Sequence, residues 1–143
     1  MNSPLVSVII PSFNRLNYLL RSIESVFNQT YTKTEVIVIN DGSTEEGYLE
    51  HKYIKDIKQI NLEQNQKIIN GFGPGNIRNF GINIASGDWI AFLDDDDLWL
   101  KEKLEIQLQK GGLFIAVGAL HLPGEKGLIQ LLEARGYTLK PIK

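Results

Sequence analysis

The residues with the clearest chemical potential are four consecutive aspartates, Asp94 to Asp97. Apolar residues 89–93 precede the run and residues 98–100 follow it, so the carboxylates lie between segments that we expect to be buried. Carboxylates crowded in such a place lose hydration and repel each other, which raises their pKa values unless a cation is present. Side chains at i and i+2 of an extended chain point the same way, so Asp94 and Asp96 could share one hard divalent ion, completed by a diphosphate. We therefore interpret the run as a metal site, although most acidic runs are solvated charge clusters.

Two further polar segments follow predicted strands. Asp41 comes directly after the apolar residues 35–40, and residues 11–15 follow the apolar residues 5–10. Taken alone, Asp41 is a turn aspartate before Gly42, and residues 11–15 are a strand-to-helix connection. The carboxyl ends of parallel strands meet at one edge of a sheet, however, and such folds bind ligands there. Together with the acidic run they predict a nucleotide crevice, in which Asp41 would accept hydrogen bonds from a base.

Arg78 follows a glycine-rich loop at residues 71–75, early in a predicted helix. A diphosphate could be met there both by the guanidinium group and by the helix N-terminus. The glycine spacing matches neither a P-loop nor a dinucleotide-binding fingerprint.

The elements that position these residues alternate between strands and helices. Strands are predicted at 5–10, 35–40, 57–62 and 89–93, the last as a central strand, with a weak helix at 44–55 and a helix at 101–109. One helix carries an apolar face of Leu16, Leu19, Leu20, Ile23, Val26 and Phe27, and another one of Ile77, Phe80, Gly81 and Ile84. This order predicts an α/β fold, a three-layer α/β/α sandwich with a mostly parallel sheet.

After residue 109 the pattern starts again. A strand is predicted at 113–117, a helix at 125–135 with Leu128, Leu131 and Leu132 facing inward, and a strand at 137–142. Gly136 suits the position just past the helix. We therefore expect two segments, 1–109 and a strand–helix–strand unit at 110–143, packed on the same sheet.

Composition narrows the function classes. The chain has 143 residues, 43% of them hydrophobic and 22% charged, with a net charge of −2. No basic stripe or RNA-binding aromatic motif favours a nucleic-acid partner. The absence of cysteine excludes disulfides and cysteine-based zinc sites. The apolar run at 5–10 is too short for a membrane span or a signal peptide, so we expect a cytoplasmic protein, in one variant peripheral to the inner face of the membrane.

Four segments together carry a family resemblance: residues 6–15 (VSVIIPSFNR), 40–44 (NDGST), 78–79 (RN) and 86–97 (SGDWIAFLDDDD). Over residues 5–109 the chain resembles family 2 glycosyltransferases, whose GT-A fold has a Rossmann-like nucleotide-binding half. The resemblance implies a nucleotide-diphosphate sugar as donor, often UDP-linked, with Mg²⁺ or Mn²⁺ as cofactor. The acceptor, a saccharide or a lipid-linked molecule, is left unassigned.

The same resemblance implies roles for individual residues. Pro11, Phe13 and Arg15 line the base and ribose pocket, Asp41 contacts the base, and Arg78 lies near the nucleotide. Asp94 and Asp96 form the D-x-D motif, with Asp96 as the direct metal ligand and Asp94 or Asp95 nearer the ribose. A run of four aspartates also allows the motif to be placed one position further along.

The family's catalytic base comes from an acceptor-binding half beyond the matching segment. An inverting transfer needs that base to deprotonate the attacking hydroxyl group. No residue after Gln109 matches the family pattern for it, and neither Glu125 nor Glu133 has a positional reason to be chosen. The catalytic residue is therefore left unassigned.

Residues 111–128 and 135–139 instead resemble the C-terminal end of TraB/GumN proteins. Their G-x-x-H motif corresponds here to Gly118 through His121, and in that family it is proposed to join a second such motif at a metal-dependent hydrolase site. The other histidine, His51, lacks the matching surroundings, so we interpret His121 as a turn or packing residue.

The chain therefore has the pattern of a fusion, and three functions compete. They are a glycosyltransferase, a chimeric module that binds UDP and metal without catalysis, and a TraB-like hydrolase fragment. Unpaired strand edges left by a missing acceptor half would also favour a homo-oligomer.

Overall fold

The computed structural model describes residues 3–48, 57–70, 74–109, 128–136 and 138. Strands and helices alternate along most of this chain, as the hydrophobic pattern predicts. The elements are β1 (Val6–Ser12), α1 (Leu16–Phe27), β2 (Thr34–Asn40), β3 (Lys58–Asn61), α2 (Gln66–Asn70), α3 (Pro74–Ile84), β4 (Trp89–Phe92), α4 (Lys103–Gln109) and α5 (Leu128–Ala134).

The four described strands form one parallel sheet in the order β3-β2-β1-β4. Ile9 of β1 pairs with Ile37 of β2 on one side and with Phe92 of β4 on the other. β4 lies at one end of the described strands, and the expectation that 89–93 is a central strand is not tested, because the strands predicted at 113–117 and 137–142 fall largely outside the described residues. Ile90 and Ala91 are nevertheless buried, since both faces of the strand are covered. A continuous apolar run indicates that both faces of a strand are covered, and it does not show whether another strand pairs on each side.

Helices cover both faces of the sheet. Val6, Val8 and Ile10 of β1 pack on one face in a cluster that includes residues of α1 and α4. Ile9 points to the other face, in a cluster that includes Ile77 of α3. This alternation confirms the predicted α/β fold with three layers.

Two apolar side chains lie outside the faces predicted for them. Phe27 is 49% exposed. It lies two turns after the half-buried Leu20, on the same side of α1, at the edge of the buried face. Ile84 is 39% exposed, because the buried face of α3 is turned toward Ile82 instead. Gly81 allows this packing, since a Cβ atom there would lie 2.5 Å from Cγ2 of Ile9.

Several boundaries differ from the predicted ones. Residues 46–48 form a turn, and no helix occurs in the described residues 44–48, while the rest of the helix predicted at 44–55 lies outside the described chain. Gly47 adopts φ +74°, which helices do not contain. Helix α2 was not predicted, α3 already begins at Pro74 within the predicted glycine-rich loop, and α4 begins two residues later than predicted.

The C-terminal segment is described only around α5, which falls within the helix predicted at 125–135. Leu132 is 3% exposed in the second core cluster, and Nη1 of Arg135 donates to the backbone oxygen of Asn83 over 3.2 Å, so α5 packs beside α3. Gly136 has φ +84°, as its predicted place past the helix requires. The strand predicted at 113–117, most of the one at 137–142, the side chains of Leu128 and Leu131, and His51, Gly118, His121 and Glu125 lie outside the described residues.

Candidate functional site

The acidic run leaves β4 at the carboxyl edge of the sheet and sends its side chains to two sides. Asp94, Asp96 and Asp97 are exposed, and one carboxylate oxygen of each lies within 4.8 Å of the others. Asp95 points inward, is only 6% exposed and accepts a hydrogen bond of 2.6 Å from the Ser12 hydroxyl. The exposed oxygens are the hard ligands that Mg²⁺ and Mn²⁺ prefer, so these residues fit such an ion. The structure brings the predicted pair Asp94 and Asp96 together and adds Asp97.

Arg15 lies over the run from the start of α1. Its Nη1 is 2.9 Å from Oδ2 of Asp96 and 3.4 Å from Oδ1 of Asp95. Burial raises the pKa of Asp95, while the Ser12 hydrogen bond and the charge of Arg15 act in the opposite direction. The inward carboxylate is therefore held by structural partners, and the outward ones face solvent.

Arg78 contacts the run from the other face of the sheet. It is 5% exposed, its Nη2 donates to Oδ1 of Asp94, and its guanidinium carbon lies 6.0 Å from the centre of the Phe92 ring. Its Nε is buried and has no hydrogen-bond partner within the part of the chain that the structure describes. A guanidinium group held in this way has hydrogen-bonding capacity left over for an anion.

Asp41 lies at the end of β2 and is 2% exposed. Its two carboxylate oxygens accept hydrogen bonds of 2.8 Å from the Asn65 side chain and 2.9 Å from the Gln66 amide. Burial raises the pKa of Asp41, and the Gln66 amide acts against that rise. Asp41 therefore anchors the segment that follows β3, and each oxygen keeps a lone pair for another donor.

Asn14 joins the loops that follow β1 and β2. It adopts φ +50°, a left-handed conformation that asparagine tolerates better than most residues. Its side-chain oxygen accepts hydrogen bonds from the backbone amides of Thr44 (2.8 Å) and Glu45 (3.1 Å), and its backbone amide donates to the Ser43 hydroxyl (2.9 Å). These hydrogen bonds fix the backbone at Asn14 and thereby the positions of its neighbours Phe13 and Arg15.

These strand ends surround one cleft with a volume of about 380 Å³. Every residue predicted for the site lies along it, namely Pro11, Phe13, Arg15, Asp41, Arg78, Asp94, Asp95 and Asp96. Ser12, Asn65, Lys67 and Ile77 also line the cleft and were missed. Asn65 and Lys67 could have been found by applying the strand-end argument to β3 as well.

Buried polar side chains on α1 and just past its end hold the acidic run and the segment that follows it, and sequence reasoning missed them too. The Ser22 hydroxyl lies 2.8, 2.6 and 3.3 Å from the backbone oxygens of Asp95, Asp97 and Asp94. Further along, the Gln29 amide donates to the Leu100 oxygen over 2.8 Å and accepts from the Leu104 amide over 3.1 Å. The available signal was polar residues at helical spacing within an otherwise apolar face.

Sequence comparison finds two families. Residues 7–111 match Glycosyl transferase family 2. Residues 83–141 match the TraB/PrgY/gumN family, so this second match begins earlier than the predicted residue 111 and overlaps the first.

Individual relatives are much longer than this chain. An uncharacterized glycosyltransferase of Rickettsia bellii (strain RML369-C) is 51% identical over 104 residues, which are 73% of this chain and 14% of the relative. The Escherichia coli protein UDP-Glc:alpha-D-GlcNAc-diphosphoundecaprenol beta-1,3-glucosyltransferase WfgD is 38% identical over 108 residues, 76% of this chain and 41% of that protein. The chain thus spans less than half of either relative.

Among solved structures, S. aureus TarS 1-349 in complex with UDP-GlcNAc is similar with a TM-score of 0.64 and 30% identity, over 73% of this chain and 30% of that one. Within the described residues, no helix has the length and apolar character needed to cross a membrane.

The first family match extends over well more than half of the sequence, from β1 through α4, and includes every residue of the strand ends that form the cleft. The chain belongs to glycosyl transferase family 2.

Proposed function

We propose that the cleft binds a nucleotide-diphosphate sugar, UDP-linked, together with Mg²⁺ or Mn²⁺, for transfer of the sugar to an acceptor hydroxyl group. The observation that carries this proposal is the meeting of three strand ends and helix α3 on one cleft. A buried carboxylate at Asp41, a buried cation at Arg78 and outward carboxylates at Asp94 and Asp96 all line it. A base, a diphosphate and a divalent ion need these three kinds of group.

The roles follow from where each side chain lies. Asp41 would accept a hydrogen bond from the base, Pro11 and Phe13 would flank the base, and Arg15 would reach the ribose. Asp94 and Asp96 would hold the ion, with Asp97 near enough to replace either and Asp95 anchoring the run beneath them. The ion, when bound, would stabilise the charge of the leaving diphosphate.

The relatives support the donor and suggest an acceptor. TarS was solved with UDP-GlcNAc, and the E. coli relative is named for transfer from UDP-Glc to a diphosphoundecaprenol-linked sugar. We propose a saccharide or lipid-linked saccharide as acceptor here. Residues 1–109 would form the donor half, and residues 110–143 a TraB-like unit packed on the same sheet. Glu133 is exposed on α5 and does not line the cleft, so it is not proposed as the base.

Calorimetric titration of UDP, with and without Mn²⁺, tests the donor site. We expect binding that depends on Mn²⁺ and is lost in Asp96→Ala with the fold retained. Asp88→Asn is the matched control, because Asp88 accepts from the Leu5 amide at the opposite edge of the sheet. If the unaltered chain bound UDP with the same affinity with and without Mn²⁺, the proposal would be refuted. Release of UDP from UDP-glucose or UDP-GlcNAc separates a transferase from a module that only binds.

A further inference from the structure

The two arginines of the cleft occupy carboxylates that a divalent ion would need. Arg78 pairs with Asp94, and Arg15 with Asp96. Both aspartates belong to the group of three whose carboxylate oxygens lie within 4.8 Å of one another. The ligand-free site is therefore partly neutralised by the protein's own cations.

The two pairs differ in burial. In the Arg15–Asp96 pair, the side chains are 51% and 53% exposed, so water screens the interaction. In the Arg78–Asp94 pair, the arginine side chain is only 7% exposed. A buried cation that loses its counter-ion is strongly unfavourable, whereas an exposed one is rehydrated. The Arg78 pair is therefore the one that can control occupancy of the site.

Arg78 donates to Oδ1 of Asp94, so other lone pairs of this carboxylate remain open to an ion, but an ion there would lie beside a second cation. A divalent ion binding alone would thus repel the buried guanidinium group and weaken Asp94 as its negative partner. A diphosphate arriving with the ion would supply another. The Arg78 Nε is buried and has no hydrogen-bond partner among the described residues, so a guanidinium group that turned toward a diphosphate in the cleft would give this donor an acceptor.

We propose that the Arg78 guanidinium group pairs with Asp94 in the ligand-free chain, and that it moves to the diphosphate when a divalent ion binds Asp94. This inference rests on the proposed function. Metal and nucleotide then bind together more tightly than either binds alone, and the coupling is reciprocal because linkage between two ligands must be.

Arg78→Gln tests the exchange, with Arg21→Gln as a control that removes the same charge from an exposed position on α1. We expect Arg78→Gln to bind Mn²⁺ alone about tenfold more tightly, since a competing charged hydrogen bond is gone. UDP affinity in the presence of Mn²⁺ should fall by about the same factor, so that the coupling between the two ligands disappears. Unchanged or weaker binding of Mn²⁺ alone by a folded Arg78→Gln variant would overturn the exchange.

A measurement on the unaltered chain covers the case in which the variant does not fold. The Nε–Hε resonance of Arg78 should stay in place with UDP alone and shift when Mg²⁺ and UDP are added together, as Nε gains an acceptor. A resonance that does not move while UDP binds with metal would overturn the inference and leave the donor site intact. Absence of any UDP binding would instead refute the proposed function itself.

Discussion

Ser22 offers the sharpest test of how the acidic run is held, because it touches only the backbone of that run. Its side chain is fully buried on α1, and its hydroxyl group lies within 2.6 to 3.3 Å of three backbone oxygens. Ser22→Ala removes the donor and leaves those oxygens without it. Loss of a buried hydrogen bond of this kind lowers the free energy of unfolding by about 1–3 kcal/mol. We expect about 2 kcal/mol, because the hydroxyl group has a single proton and its removal counts as the loss of one shared hydrogen bond.

The effect on binding follows from the same contact. With the run free to shift, the outward carboxylates no longer converge, and loss of an outer partner of metal ligands typically weakens metal binding about 10- to 100-fold. We therefore expect Ser22→Ala to lower the affinity for UDP with Mn²⁺ by at least about tenfold. Urea unfolding measures the first effect, and calorimetry below the unfolding transition measures the second.

Ser86→Ala is the matched control. The Ser86 hydroxyl donates to Oε2 of Glu35 over 2.9 Å at the amino edge of the sheet, away from the cleft. We expect it to lower the unfolding free energy without changing UDP affinity. If both serine variants weakened binding equally, or if Ser22→Ala bound normally, the positioning argument for Ser22 would be wrong.

Two further predictions concern stability. Burial alone would raise the pKa of Glu35, but hydrogen bonds from Lys58, Ser7 and Ser86 lower it from 4.5 to about 2. The carboxylate therefore contributes about 3 kcal/mol above pH 4.5 that is lost as pH falls toward 2, and urea unfolding of Glu35→Gln across that range should show a flatter profile. Gly42→Ala would place a Cβ atom 2.5 Å from the Gln64 carbonyl carbon at φ +74°, whereas a Cβ atom at Gly47, which has the same φ, would meet no atom of the described residues within 4 Å. Thermal unfolding should show a loss of about 1 kcal/mol for Gly47→Ala and clearly more for Gly42→Ala, and equal losses would contradict the steric argument.

Periodicity alone was enough to predict most of the strands and helices. β1, β2 and β4 pair in parallel and are largely buried, so each contains a nearly continuous apolar run, whereas β3 at the other end of the described strands has one apolar residue, Ile60. The helix faces were predicted less well, and Phe27 and Ile84 are exposed because a helical stripe does not say where its centre meets the sheet. Helix α2 is short, and its first residue, Gln66, donates to Asp41 at the end of β2, which is distant in the sequence. The residues of α2 alone therefore gave no pattern from which the helix could be predicted.

The contents of the cleft could be predicted because the argument used only strand ends. In a parallel sheet, the residue after each strand must lie at the same edge, whatever the loops do. Asp41 and the acidic run therefore could be assigned to one place from their positions in the chain. The contacts within the cleft could not, since Arg78 meets Asp94 only through the way α3 packs on the sheet.

What the sequence by itself determined is thus the set of chemical groups and the edge at which they gather, because hydrophobic period and strand order depend on local residue choice. Only the tertiary structure decided which aspartate side chains are exposed and which one, Asp95, is buried against Ser12. It also decided that Ser22 supports the run and that Arg78 pairs with Asp94. These contacts join residues far apart in the chain or on different elements, and their geometry exists only once the helices have packed on the sheet.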